Sequence, residues 1–323
     1  MSRCINIITA LLGFAAAYAL GGAILPLLKR MRFADIPDTA DANGRNVPVG
    51  GGVVIGAAAL AAAAVGTVLM RVFSDPLSFD TEGFSEYTAG LVISIAAMAA
   101  GFYSDRLKVS GRAGGLDRTG RAAVYLTAAA AFAAVMYSSG GRQVIDIPFY
   151  GEADLGMAYY PVIGAYMVLV TVCAGSTDNA EGVMPAVSTA CFIGSGGLLA
   201  DCGAGIYSIF CAGAAGSCAG FLRYGFPPAK LFCGDTGRFF LGTAMAFAGA
   251  ASGQLSVMLI MLLPCGIDFI ISLILKARHR KFSAGRYFAE EKGVKKGAVV
   301  IIYFTAAVII SAVISAVYYA GAA

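Results

Sequence analysis

Charge is what this chain has least of. Asp, Glu, Lys and Arg make up 13% of its 323 residues, against 59% hydrophobic residues. With a mean hydropathy of +0.77, it reads as a membrane chain rather than a soluble globular one. Histidine is nearly absent. The single His279 sits in the basic run KARHRK, which suits a solvated or headgroup-facing group better than a catalytic one. The eight cysteines include no C-x-x-C pair, and most lie in apolar segments. Neither a zinc site nor a disulfide framework is expected from that spacing. Linkers, heptad repeats and low-complexity tails are missing too, so residues 1–323 are expected to form one integral membrane domain.

What the chain has is apolar length. Ten runs approach the roughly 20 residues that cross a bilayer: about 4–27, 48–70, 88–104, 121–138, 156–173, 184–200, 203–221, 238–252, 255–275 and 298–319. The expected fold is all-α, a polytopic membrane protein of about ten transmembrane helices. The first run is too long, and lacks the cleavage pattern, for a removable signal peptide. The eighth is short and glycine-rich. The 42 glycines suit helices that pack closely in lipid.

If the spans alternate, the loops 28–47, 105–120, 174–183, 222–237 and 276–297 share one side. Of the 23 Lys and Arg, all but Arg3, Arg71 and Arg142 fall in those loops or their short flanks. The positive-inside rule makes that side cytoplasmic, with both termini outside. Membrane topology therefore accounts for the net charge of +4, and no nucleic-acid partner is implied. Loop 276–297, with eight Lys or Arg and two Glu, reads as a surface facing anionic membrane lipids.

The basic side also carries the candidate chemistry. Residues 221–242, FLRYGFPPAKLFCGDTGRFFLG, form a polar island with Asp235 between glycine and threonine. A carboxylate at the end of a membrane helix is costly unless it meets water, a cation or a partner. Asp105 in GFYSDRLKV, and Asp178 and Glu181 in STDNAEG, occupy similar helix ends on the same face. Carboxylates gathered this way can hold Mg²⁺, which takes oxygen ligands and keeps room for substrate phosphates. The plainer alternative is that each acid pairs with a nearby cation or caps a helix, as Asp105 could with Arg106 or Lys108.

These motifs resemble the polyprenyl-phosphate N-acetylhexosamine-1-phosphate transferases, and within them the branch that moves phospho-N-acetylmuramoyl-pentapeptide. GFYSDRLKV is similar to the family's aspartate-pair motif and STDNAEGVMPAVS to its Thr-Asp-Gly-Leu-Asp-Gly motif. IDIPFYGEADLG resembles the segment before the fifth span, and DIPDTADANGRNVPVGGG the first cytoplasmic loop. FLRYGFPPAKLFCGDTGRFFLG is the most specific match. The resemblance implies ten transmembrane helices and a cytoplasmic active site in the cell membrane. It implies transfer of a sugar phosphate from a UDP-sugar to undecaprenyl phosphate, with release of UMP and Mg²⁺ as cofactor. By the same resemblance Asp235 is the Mg²⁺ ligand, while Asp105 and Asp178 order the lipid phosphate and the catalytic centre. Glu181 and Phe232 line the uridine pocket, with Phe232 stacked on the base.

Several positions depart from the pattern. Ser104 replaces the first aspartate of the pair, and a serine is neither an anionic base nor a strong Mg²⁺ ligand. Gly175 and Gly225 replace asparagines, Glu181 an aspartate, and Arg238 a serine. In the first loop, residues such as Asp41 and Asn43 take the place of the usual histidine or lysine. The three-histidine segment of the last loop is missing from RYFAEEKG. Two readings stay open at this point: a divergent transferase that still uses Asp105, Asp178 and Asp235, or a catalytically impaired paralogue that binds lipid phosphate, nucleotide or a wall-synthesis protein. A transporter of unrelated descent fits neither the motif order nor the lack of internal repeats. The sequence leaves a homodimer open.

Overall fold

The computed structural model describes residues 2–31, 33, 47–73, 83–111, 115–140, 143–147, 151–176, 181–278 and 284–321. They form twelve α-helices: α1 (Ser2–Arg30), α2 (Gly52–Phe73), α3 (Phe84–Val109), α4 (Arg118–Ser138), α5 (Tyr159–Ser176), α6 (Val183–Asp201), α7 (Gly205–Gly225), α8 (Gly234–Ala251), α9 (Leu255–Met261), α10 (Leu263–Ala277), α11 (Ala284–Glu290) and α12 (Lys296–Gly321). Between α4 and α5 lies an antiparallel hairpin, β1 (Val144–Ile147) with β2 (Gly151–Asp154), in which Val144 faces Asp154. The protein is an all-α polytopic membrane protein.

By length and composition, α1 to α7 and α12 can each cross a membrane, which gives eight spans among the described residues. The run expected at 255–275 is not one straight span. It is two helices, α9 and α10, that meet at 61°. Pro264 in the first turn of α10 accounts for the break, because it donates no hydrogen bond and clashes with the turn before it.

Helix α8 covers the eighth expected run but begins earlier, with Gly-Asp-Thr-Gly as its first turn. It packs against α3, α5 and α2, and every residue in it is buried except Arg238. A helix enclosed by other helices meets protein rather than lipid, which explains its weak apolar signature. The outer helices show the reverse. Leu11, Val68, Ile302 and Ile309 are each more than half exposed, as suits a lipid-facing surface.

Small residues let the backbones meet. A Cβ on Gly216 of α7 would stand 1.9 Å from the Ala10 carbonyl oxygen of α1. Gly216 and Gly220, one turn apart, thus form the contact stripe between these two helices.

The hairpin caps one end of the bundle. The Asp146 N–H donates to the Gly253 carbonyl at 3.2 Å, and Gln254 Nε2 donates to Asp146 Oδ2 at 2.6 Å. It therefore lies over the turn where α8 ends, opposite the end where α8 begins.

Candidate active site

Helices α3 and α8 run antiparallel. Gly90, early in α3, packs on Phe247 late in α8, and Asp105, late in α3, meets the start of α8. The last turns of α3 thus abut an N-terminus whose backbone donors have no partner within their own helix. Asp105 supplies the partner. Its carboxylate accepts the N–H of Asp235 at 2.9 Å, the N–H of Thr236 at 3.0 Å and the Thr236 hydroxyl at 2.6 Å. Helix α8 has no side-chain cap of its own, so Asp105 caps it from across the interface. Gly234 makes this approach possible. Its φ is +73°, and a Cβ there would lie 2.4 Å from Asp105 Oδ2.

The cap brings two buried carboxylates together. Lys108, one turn beyond Asp105, spans them: its Nζ is 3.2 Å from Asp105 Oδ1 and 2.9 Å from Asp235 Oδ2. Ser104 Oγ donates to Asp235 Oδ2 at 2.6 Å and accepts the Leu116 N–H at 3.0 Å. Arg238, one turn beyond Asp235, holds Nη1 3.4 Å from Asp235 Oδ1. Arg121, in the first turn of α4, adds its charge to those acting on Asp235. That turn is capped by Asp117, which accepts the Gly120 N–H at 2.8 Å and the Thr119 hydroxyl at 2.7 Å. These bonds hold the Asp117 carboxyl below its ordinary pKa.

The other expected site residues sit around the loop between α7 and α8. Glu181 accepts the Ala229 N–H at 3.3 Å and pairs with Lys296 at the start of α12. Phe232 donates its N–H to the Pro48 carbonyl at 2.9 Å and accepts the Gly51 N–H at 2.8 Å, with its ring half-buried against the core. Asp178 lies outside the described residues, as do His279, Asp41 and Asn43. Of the expected acids, Asp105 and Asp235 are therefore together, and Glu181 has a separate set of partners.

This cluster falls inside the part of the chain that matches a known family. The family described as Glycosyl transferase family 4 matches residues 87–253, just over half of the chain. The chain belongs to glycosyl transferase family 4. Similar proteins of this family-4 chain carry the name phospho-N-acetylmuramoyl-pentapeptide-transferase. The one from Shouchella clausii (strain KSM-K16) is 28% identical over 291 residues, covering 86% of this chain and 84% of that protein. The one from Clostridium botulinum (strain Alaska E43 / Type E3) is 29% identical over 249 residues, covering 73% and 70%. The one from Moorella thermoacetica (strain ATCC 39073 / JCM 9320) is 37% identical over 116 residues, a match that spans 35% of this chain and 36% of that protein.

Sequence reasoning named the acids of the candidate site, and Lys108 as a possible partner of Asp105, but not Arg238 as the cation on Asp235. Lys108 and Arg238 each stand three residues after a carboxylate, a spacing that places them on the same helix face, and that signal was available. It also passed over Asp268, a 2% exposed acid on α10 whose Oδ1 accepts the Tyr303 hydroxyl of α12 at 2.6 Å. An aspartate inside IDFIISLIL is costly in lipid, which marks it as a residue with a partner.

Magnesium can be tested against this geometry. The ion takes about six oxygen ligands, most of them waters or substrate phosphates, and is held by one or two carboxylates. Both Asp105 oxygens accept hydrogen bonds, and Asp235 Oδ2 accepts two more. Asp235 Oδ1 is the site oxygen that is buried and accepts no hydrogen bond, and the Arg238 guanidinium faces it. A divalent ion about 4 Å from a guanidinium is repelled by about 8 kcal/mol at an effective dielectric near 20. Among the described residues no group of three or more His, Cys, Asp or Glu comes together at metal-binding distance. With Lys108 and Arg238 in these positions, the described residues do not fit a Mg²⁺ ion.

Proposed function

We propose that the chain transfers a sugar phosphate from a UDP-sugar to undecaprenyl phosphate and releases UMP, as a step in making a lipid-linked intermediate of the cell wall. The reaction runs at the cytoplasmic membrane face, with phospho-N-acetylmuramoyl-pentapeptide or a related sugar phosphate as cargo. In that reaction an oxygen of the lipid phosphate bonds to the sugar-linked phosphorus of the donor. The bond from that phosphorus to the bridging oxygen breaks, and the oxygen leaves with UMP.

The observation that carries this reading is the buried pair Asp105–Asp235 with its cations, where α3 meets α8 within the residues matched by the family. The names of the relatives supply the cargo. Phosphoryl transfer asks the protein mainly for positioning and for positive charge near the transferred group. Lys108, Arg238 and Arg121 supply that charge beside Asp235. Asp235 holds Lys108 and Arg238 in place for an incoming phosphate. Asp105 keeps α8 in register and so positions Asp235. Asp178 is assigned to ordering the lipid phosphate, and Glu181 and Phe232 to the uridine pocket, because of their place in the motifs. The resemblance implies Mg²⁺ as cofactor, but the described residues of this site do not fit the ion, and no step above is routed through it.

Ser104 favours a second reading, an impaired paralogue that binds lipid phosphate or nucleotide without turnover. Its hydroxyl is engaged on both sides and contributes no charge. One experiment separates the two: transfer of labelled sugar phosphate from UDP-linked donors to undecaprenyl phosphate by the purified protein, beside Asp235→Asn. Turnover by the wild type that falls at least about a hundredfold in the variant supports the transferase. Background rates in both, with nucleotide binding intact, support the paralogue.

A further inference from the structure

Arg238 reaches Asp235 along a path that depends on a missing side chain. A Cβ placed on Gly175 would lie 3.1 Å from Arg238 Cδ and 3.2 Å from its Cγ. A side chain at 175 would press on the arginine stem and make it give by a few tenths of an ångström or more. With glycine there, Nη1 rests 3.4 Å from Asp235 Oδ1, the site oxygen that accepts no hydrogen bond. On the other side Lys108 Nζ bridges Asp235 Oδ2 and Asp105 Oδ1 at 2.9 and 3.2 Å. Arg121 also acts on Asp235. Lys108 and Arg238 thus hold the two carboxylates between them, and their side chains are only 16% and 12% exposed.

That arrangement is wrong for a metal and right for an anion. A divalent ion at Asp235 Oδ1 would be set against the Arg238 guanidinium that already faces this oxygen. A diphosphate would instead meet a guanidinium fork and an ammonium, both already oriented by carboxylates. We propose that Arg238, in the room left by Gly175, acts with Lys108 as a built-in replacement for the divalent cation, so that this site binds a diphosphate group without metal. The inference deepens the transferase reading by naming how its anionic ligand is held, but its test needs no turnover.

The test uses the full-length protein in detergent and two probes. Mn²⁺ binding is followed by electron paramagnetic resonance, and inorganic pyrophosphate binding by calorimetry, with EDTA or with Mg²⁺. The wild type should bind pyrophosphate with similar affinity in both buffers and show no saturable Mn²⁺ site. Arg238→Ser should lose about tenfold or more of its affinity in EDTA and gain a Mn²⁺ site that Asp235→Asn removes. Gly175→Asn should act in the same direction with the arginine still present, and Arg238→Lys should keep part of the metal-free affinity.

The proposal is overturned if EDTA abolishes pyrophosphate binding by the wild type. It is equally overturned if pyrophosphate binds in neither buffer, or if the wild type holds Mn²⁺ through Asp235. Should the serine variant not fold, the wild-type comparison and Gly175→Asn decide the matter alone. Metal-free pyrophosphate binding without sugar-phosphate transfer would sink the transferase reading and leave this inference standing. Transfer that requires Mg²⁺ would do the opposite.

Discussion

Ser104 shows how much one atom decides at this site. Its hydroxyl donates 2.6 Å to Asp235 Oδ2 and so occupies a lone pair that an approaching phosphate or ion could otherwise use. An aspartate in its place would add a third carboxylate to the pair Asp105 and Asp235. Three such groups cannot all stay charged without a shared proton or a further cation among them. Ser104→Asp is therefore expected to create a demand for divalent ions that the wild type lacks. Transfer activity across a Mg²⁺ series should rise in the variant and stay flat in the wild type. Activity at background for both proteins, at every concentration, would turn the balance toward the impaired paralogue. Much of this was legible from residues: the acids at helix ends stood out because burying them is expensive. Their partners stood out only in part. Local spacing suggests that Lys108 pairs with Asp105 and Arg238 with Asp235, yet nothing local says that Lys108 also reaches Asp235, 127 positions along the chain. That link exists only because α3 and α8 are antiparallel neighbours.

Among the elements, α8 is the one whose stability is borrowed. Its first turn has no cap of its own, and Asp105 of α3 accepts two of its backbone N–H groups and the Thr236 hydroxyl. Asp105→Ala would leave those donors buried and unpaired and strand Lys108 beside one acid fewer. The expected cost is about 3 kcal/mol or more, from unsatisfied donors and a broken ion pair together. A clear fall in the melting temperature of the detergent-solubilised protein checks this, and an unchanged melting temperature would show that the cap contributes nothing. If Asp105 acted only in chemistry, its loss would spare stability and abolish transfer alone. Helix α8 also marks where hydropathy stops being a guide. It is enclosed by α3, α5 and α2, so its sequence answers to packing and to the site rather than to lipid. The 255–275 run differs in another way. Its two helices together are long and apolar enough for one span, but they meet at a bend beside Pro264, a residue that was in plain view.

For the molecule as a whole, the number of crossings decides where the two ends lie. The eight apolar helices, the bent pair α9–α10 and the buried α8 make ten crossings only if α8 itself traverses the bilayer. Its ends argue that it does. It begins against Asp105 at the end of α3 and finishes at the turn covered by the β1–β2 hairpin, which lies beyond the far end of α4. Eighteen residues of α-helix rise about 27 Å, close to the thickness of a hydrocarbon core. Ten crossings would bring the termini back to one side, which the loop charge bias predicts to be extracytoplasmic. Nine would leave them on opposite sides. Reporter fusions after residues 112 and 150 are expected to give cytoplasmic and extracytoplasmic signals respectively, and tags at both termini should be extracytoplasmic. A cytoplasmic C-terminal tag, with the N-terminal tag and the two internal reporters behaving as expected, would mean that one span downstream of residue 150 does not cross. Because Asp235 at the start of α8 is bonded to Asp105 at the end of α3, a failure of α8 itself to cross would leave the carboxylate pair on the face reported by residue 112.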